Sequence, residues 1–151
     1  MIESGARMPN PIRDEDFFTT RSQEADVAHR LIGYVAGTGL PQVLESANEI
    51  LGRVNLGAIS RGPFQSAVLS YWIDSNFAGK GLMTIAVRAI LNMAGKELGL
   101  HRVQAEAMPD NHSSQGVLNR VGFERIGHAP AYLKIDGVWQ GHDLFHKFLL
   151  R

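Results

Sequence analysis

The sequence predicts one α+β domain, a mixed and mostly antiparallel sheet with helices packed against it. Three observations predict it. Three β-forming segments between residues 42 and 73 follow one another across short turns. A strong amphipathic helix, Leu82 to Leu98, then separates them from a further strand. Near the end, Asp136-Gly137 between two β-rich runs is a hairpin signal.

Taken in order, Met1 to Arg13 contains two prolines and no periodicity, and reads as an irregular arm. Asp14 to Val35 turns helical, with Ala25, Ala28, Leu31, Ile32 and Val35 on one face. Thr20 and Gln23 have capping-box spacing inside it, so one helix or two remain open. Gly37 and Gly39 stop the helix. Gln42 to Glu45 is a short strand and Asn48-Glu49 a turn, after which Ile50 to Ile59 is a longer strand. Arg61-Gly62-Pro63 turns the chain into Ala67 to Ile73, rich in Val68, Leu69, Tyr71, Trp72 and Ile73.

On the following helix, Leu82, Ile85, Ala86, Ala89, Ile90, Met93 and Ala94 form the expected inward stripe, and Gly99 ends it. In His101 to Met108, Val103, Ala105 and Ala107 alternate with Gln104, Glu106 and Met108, as a half-buried strand requires. Ser113 to Arg120 is a short helix with Val117, Leu118 and Val121 inward and Gly122 closing it. Ala131 to Ile135 and His142 to Phe148 are the last two strands. With no internal repeat and no long linker, residues 1–151 form one domain.

Composition narrows the function. Basic and acidic side chains number 15 each, so no charge excess suggests nucleic acid as a partner. There is no cysteine in these residues, which excludes an acyl-cysteine intermediate on them and fits a reducing compartment. No apolar run nears the roughly 20 residues of a membrane span. No signal peptide is evident at the N-terminus, and the expected location is cytoplasmic.

The chemistry concentrates between the third strand and the long helix. Gly79 and Gly81 allow a sharp turn and close backbone approach. The helix start behind them offers unpaired N–H groups and the positive end of the dipole, which suits a pyrophosphate. Lys80 either adds charge or points to solvent. The Gly-Lys-Ser/Thr ending of a phosphate-binding loop is absent, as is a full dinucleotide fingerprint. Taken alone, the loop is equally a glycine turn without a ligand.

Three ordered blocks decide between those readings. Tyr71 to Met83 resembles motif A of the GCN5-related N-acetyltransferase (GNAT) superfamily, with Gly79 and Gly81 matching and Asn76 standing where Gln or Arg is usual. Gly99 to Val103, then Pro109 to Ser114, then Val121-Gly122-Phe123 resemble motif B, which carries Asn-x-x-Ser. Tyr132 to Trp139 resembles the closing hairpin of the RimJ/RimL branch, the ribosomal-protein-alanine N-acetyltransferases. The chain departs from that branch in having Gly141-His142 where Asp-His is common, and in an arm that does not read as the family's first strand. That strand is either missing or supplied by a partner.

The resemblance implies an acetyl-CoA-dependent N-acetyltransferase. Its donor site would comprise Trp72, Ile73, Asp74, Asn76, Phe77, Ala78, Gly79, Lys80, Gly81 and Leu82, with Asn111 and Ser114 near the pantetheine. Transfer needs a polarised carbonyl, a deprotonated amine and a stabilised thiolate. The family supplies the first from a backbone N–H, here in the Trp72–Asp74 region. Glu106, five residues before Asn111, is the candidate base, or else a solvated strand carboxylate. Ser114 is the candidate acid or hydrogen-bond donor near the CoA sulfur, or else an ordinary helix N-cap. His142 shares a strand face with His146 and is the candidate acceptor contact. The histidines lack a compact ligand pattern, so no metal is expected. Trp72 and Trp139 read as packing residues. The acceptor is a protein N-terminal α-amine or a small-molecule amine, and a homodimer is left open. The alternative reading is a non-catalytic, regulatory CoA-binding module.

Overall fold

The computed structural model describes residues 20–149, with side chains from Glu24 onward. The expected arm, the start of the first helix at Asp14, the Thr20–Gln23 capping box and the question of a first strand all fall outside those bounds.

The elements are α1 (Thr20–Val35), β1 (Leu40–Ser46), β2 (Glu49–Ser60), β3 (Ser66–Ile73), a 3-10 turn (Ser75–Phe77), α2 (Leu82–Lys96), β4 (Arg102–Ala107), α3 (His112–Arg120), β5 (Glu124–Ile135) and β6 (Val138–Phe148). One six-stranded sheet has the order β1-β2-β3-β4-β6-β5. All neighbours are antiparallel except β3 and β4. Those two are parallel because α2 carries the chain across between them. The expected α+β mixed sheet with flanking helices is what the chain adopts.

Hairpin turns sit where left-handed backbone is available. Ala47 and Asn48 have φ of 46° and 75°, and Asp136 and Gly137 have 48° and 80°. Paired positive φ values match the right-handed twist of the flanking strands. Gly52 answers to a different demand. A Cβ there would lie 2.4 Å from the Trp72 carbonyl oxygen, so only glycine lets β2 and β3 approach this closely.

The core lies between the sheet and the pair α2 and α3. Leu56, Val87, Ile90, Leu100, Val103 and Leu118 are its most deeply buried large side chains. Val103, Ala105 and Ala107 point into it from β4, as the alternation predicts. Two expected faces need correction. On α2 the buried set is Met83, Thr84, Val87, Ile90, Leu91, Ala94 and Gly95, while Ile85 is 64% exposed. The helix is apolar over more than one stripe, so periodicity alone did not fix its rotation. Of the expected stripe, Ile90 and Ala94 are buried and Ala86 and Met93 pack against the core, while Leu82, Ile85 and Ala89 lie toward a groove against β1 and β2.

On α1, Leu31, Ile32 and Val35 are exposed rather than inward. The helix is tied to the sheet by charge. Asp26 accepts from Arg30 at 2.8 Å and from Arg53 of β2 at 3.4 Å. Both final strands are longer than expected, because bulges interrupt their alternation. The β5–β6 register breaks at Arg125/Gly127 and again between Ala129 and Leu133, around Pro130 and Ala131 (φ 48°). Proline is tolerated there because β5 is an edge strand.

Candidate active site

The site forms where β3 and β4 part. They pair only over Ser66–Val68 and Arg102–Gln104. Beyond that, Leu69 to Ile73 stays with β2, and Ala105 to Ala107 stays with β6. The sheet therefore opens into a wedge. A cavity of about 720 Å³ fills the region between α1, the wedge and the start of α3. Tyr71, Glu106, Asn111, Ser114 and His142 all line it.

At the end of β3 the Asp74 carboxylate accepts from the Asn76 N–H at 2.8 Å and starts the 3-10 turn. Gly79 and Gly81 follow with φ of 75° and 77°. Gly81 is the N-cap of α2 and makes no side-chain cap to the helix start. A Cβ on either glycine would meet nothing within 4 Å, so no other described residue packs over these two positions. The first turn of α2 thus offers its donors outward, the geometry a pyrophosphate needs. Lys80 Nζ lies 5.4 Å from the Phe77 ring centroid, a cation–π contact within the loop. The loop sits at the end of β3 and does not line the cavity, nor do Trp72, Ile73 and Asp74. The predicted donor residues therefore form two groups: the loop outside, and Asn111 with Ser114 inside.

Asn111 caps α3, its side-chain oxygen accepting from Ser114 N–H at 3.1 Å and from Ser113 Oγ at 3.1 Å. That corrects the plain reading of Ser114 as the cap. Ser114 lies inside the first turn, buried, with Oγ 2.8 Å from the Tyr71 hydroxyl. Tyr71 also stands 3.0 Å from the Ser114 carbonyl, as a donor to it. Burial pushes the Tyr71 hydroxyl up to about 12, against the opposing Ser114 hydrogen bond, so it keeps its proton.

Glu106 faces the cavity from β4. Burial holds its carboxyl above the usual glutamate range. The Tyr132 hydroxyl, donating at 3.3 Å, and nearby His142 oppose that shift. A carboxylate short of solvation in a cleft binds a proton more readily, which is what a general base needs. His142 is 4% exposed, and its Nδ1 lies 3.1 Å from the Gln140 carbonyl. A carbonyl only accepts, so Nδ1 is the donor in this contact. Its ring lies 5.8 Å from that of Tyr132.

Outside the cavity, His128 Nδ1 and Arg125 both reach Asp143, at 2.9 and 2.8 Å. Arg125 first, then His128, pulls Asp143 down to about 2. His146 faces Glu124 at 3.9 Å and is not part of the cavity wall. Trp139 is 60% exposed on the hairpin and is not a packing residue. Trp72 is half-buried with its indole N–H enclosed and without an acceptor among the described residues. Sequence reasoning missed Tyr71, Tyr132 and the Asp26–Arg30–Arg53 network as site components. Tyr71 is legible as a strand former and the first residue of the motif A block, and Tyr132 as the first residue of the closing-hairpin block, neither with a site role, and nothing in the sequence pairs Asp26 with Arg53.

Comparison with known proteins gives the family and the fold. Residues 8–124 match the family described as Acetyltransferase (GNAT) domain. Over 99 residues the chain is 42% identical to the Probable N-acetyltransferase YjcK of Bacillus subtilis, covering 66% of this chain and 55% of that protein. Over 96 residues it is 41% identical to the [Ribosomal protein uS5]-alanine N-acetyltransferase of Escherichia coli, covering 64% and 50%. The chain thus spans about half the length of the curated relatives it matches. The structure of the ribosomal-protein-S5-alanine acetyltransferase of Vibrio fischeri superposes with a TM-score of 0.85 at 31% identity, over 93% of this chain and 78% of that one. Mycobacterium smegmatis RimJ, solved in complex with CoA-disulfide, gives 0.85 at 30% identity, over 93% and 68%.

Proposed function

This chain belongs to the acetyltransferase (GNAT) family, and we propose that it moves the acetyl group of acetyl-CoA onto a primary amine by direct transfer in a ternary complex. One observation carries the reading. A partly desolvated carboxyl, Glu106, and a serine hydroxyl, Ser114, line one cavity at the point where β3 and β4 separate. Direct transfer needs such a base and such a donor on the two sides of one reacting carbon.

The residues divide the work by chemistry. The open N–H groups from Gly79 into α2 hold the pyrophosphate of the donor. Asp74 N–H is bonded to Leu51 across β2 at 2.8 Å, so strand alternation turns the Ile73 N–H toward the wedge. Ile73 N–H, beyond the cavity wall on the side from which the thioester would enter, then polarises its carbonyl. Glu106 accepts a proton from the amine, directly or through water, as nitrogen attacks. When the carbon–sulfur bond breaks, its electron pair goes to sulfur and Ser114 donates a hydrogen bond there. The proton taken by Glu106 returns through solvent to the thiolate, which completes the balance. His142, on the cavity wall, orients the incoming amine.

Within the amine class, we favour the α-amine of a protein N-terminus, of the kind the uS5-alanine relatives are named for. The cavity supports this choice. Asp26, the other carboxylate on its wall among the described residues, is paired with Arg30 and Arg53, which leaves Glu106 the one acidic group of that described wall without a guanidinium partner. A polycation would meet too little negative charge there. The test is an acetyl-CoA consumption screen that pairs N-terminal peptides beginning with Ala or Ser against spermidine and other small amines. Turnover confined to peptides supports the reading. Turnover confined to polyamines overturns the acceptor, and CoA binding without turnover on any amine overturns the enzyme in favour of a binding module.

A further inference from the structure

We infer that Tyr71 is a positioning residue for the transfer step, its hydroxyl setting which way the Ser114 proton points; this rests on the acetyl-transfer reading above. The Tyr71 oxygen stands 2.8 Å from Ser114 Oγ and 3.0 Å from the Ser114 carbonyl oxygen. One hydroxyl proton cannot serve both. If Tyr71 donates to the carbonyl, Ser114 Oγ–H points back at the tyrosine oxygen and is withheld from the cavity. If Tyr71 donates to Oγ, the serine proton is released toward the cavity, where the leaving sulfur would stand. These two arrangements differ only in hydroxyl rotation, with no backbone movement.

The surroundings hold that pair in place. Tyr71 sits on β3 and packs against the core. Ser114 sits in the first turn of α3, its N–H fixed by the Asn111 cap at 3.1 Å. The Tyr71–Ser114 pair therefore bridges the two arms of the wedge, β3 on one side and the segment following β4 on the other. Tyr71 stays protonated at ordinary pH in either arrangement, so it takes no part in the proton balance. Negative charge growing on sulfur favours the arrangement in which the serine proton faces it. Without Tyr71, Ser114 Oγ–H can turn to a carbonyl one helical turn back and be lost to the reaction.

The test is a double-mutant cycle on the full chain with Y71F, S114A and the pair, with kcat and KM measured for both substrates and CoA affinity measured by calorimetry. The expected result is a fall in kcat of about tenfold for Y71F, the worth of one buried hydrogen bond, with KM for acetyl-CoA and CoA affinity unchanged. In the S114A background Y71F has no further effect, and the acid limb of the pH profile, set by Glu106, does not move. An equal loss in both backgrounds, or a loss that appears in KM instead of kcat, overturns the inference while acetyl transfer stands. Wild-type protein that consumes no acetyl-CoA on any acceptor overturns both. If Y71F unfolds, 3-fluorotyrosine at position 71 serves instead. It keeps the ring and the hydroxyl but makes the hydroxyl a stronger donor and a weaker acceptor, so kcat should change while CoA affinity stays the same, and an unchanged kcat would contradict the assignment.

Discussion

The two ends of the wedge are built from different materials. The proposed donor end, from Asp74 to Leu82, is backbone: two left-handed glycines, a helix start without a side-chain cap from Gly81, and open space beside both glycines. The proposed acceptor end is side chain: Glu106, Tyr132 and His142, brought together from β4, β5 and β6. Backbone donors have fixed charge and fixed position, so the donor end should be insensitive to pH and to most side-chain changes. Titratable side chains respond to one another, so the acceptor end should be tunable by single hydroxyls.

The largest effect that separates the two ends is expected from Glu106→Gln. Removing the base should lower kcat by about 10²- to 10³-fold, while CoA affinity by calorimetry stays the same. Its effect on stability runs the other way. Burial raises the folded pKa of Glu106, so the charged form costs stability as pH rises from the ordinary glutamate value through the raised one. E106Q should therefore melt higher than wild type at neutral pH, with the two melting curves converging below the ordinary glutamate range. A mutant with lower melting temperature at neutral pH would contradict the desolvated carboxyl.

At the donor end, Gly81→Val should act through backbone and bulk. The φ of 77° is strained for a β-branched residue, and the side chain enters the space over the helix start. KM for acetyl-CoA should rise about tenfold or more, and the acid limb of the pH profile should stay where it is. A smaller effect sharpens the acceptor end. Tyr132→Phe removes the hydrogen bond that holds the Glu106 pKa down, so the acid limb should move to higher pH with little change in the plateau. The smallest is Lys80→Ala. Its ammonium rests over Phe77 in an exposed loop, and its loss should change KM for acetyl-CoA by less than about threefold. A large effect there would mean that side-chain charge, and not backbone, holds the donor.

The same division explains what could be read from the amino acids. The donor end is local: Gly79, Gly81 and the helix after them are contiguous, and glycine at positive φ before a helix is a pattern of a few residues. Sheet, crossover and hairpin were legible for the same reason, since each rests on short-range alternation or a two-residue turn. The acceptor end is not local. Glu106 and Tyr132 are 26 positions apart, and Tyr71 and Ser114 are 43 apart. Their meeting depends on the β4–β6–β5 order and on the wedge, which no local pattern encodes. Helix rotation failed for a related reason. On α2 both apolar stripes satisfy the same period, and on α1 the apolar face is exposed while Asp26, Arg30 and Arg53 make the attachment.

The most direct test of a backbone donor end joined to a side-chain acceptor end is the pH profile of kcat/KM for a peptide acceptor, measured for wild type and E106Q together. The account predicts a wild-type acid limb above the ordinary glutamate range, and in E106Q a deep loss of activity with that limb abolished. Equal activity and an unchanged profile in the mutant would contradict it.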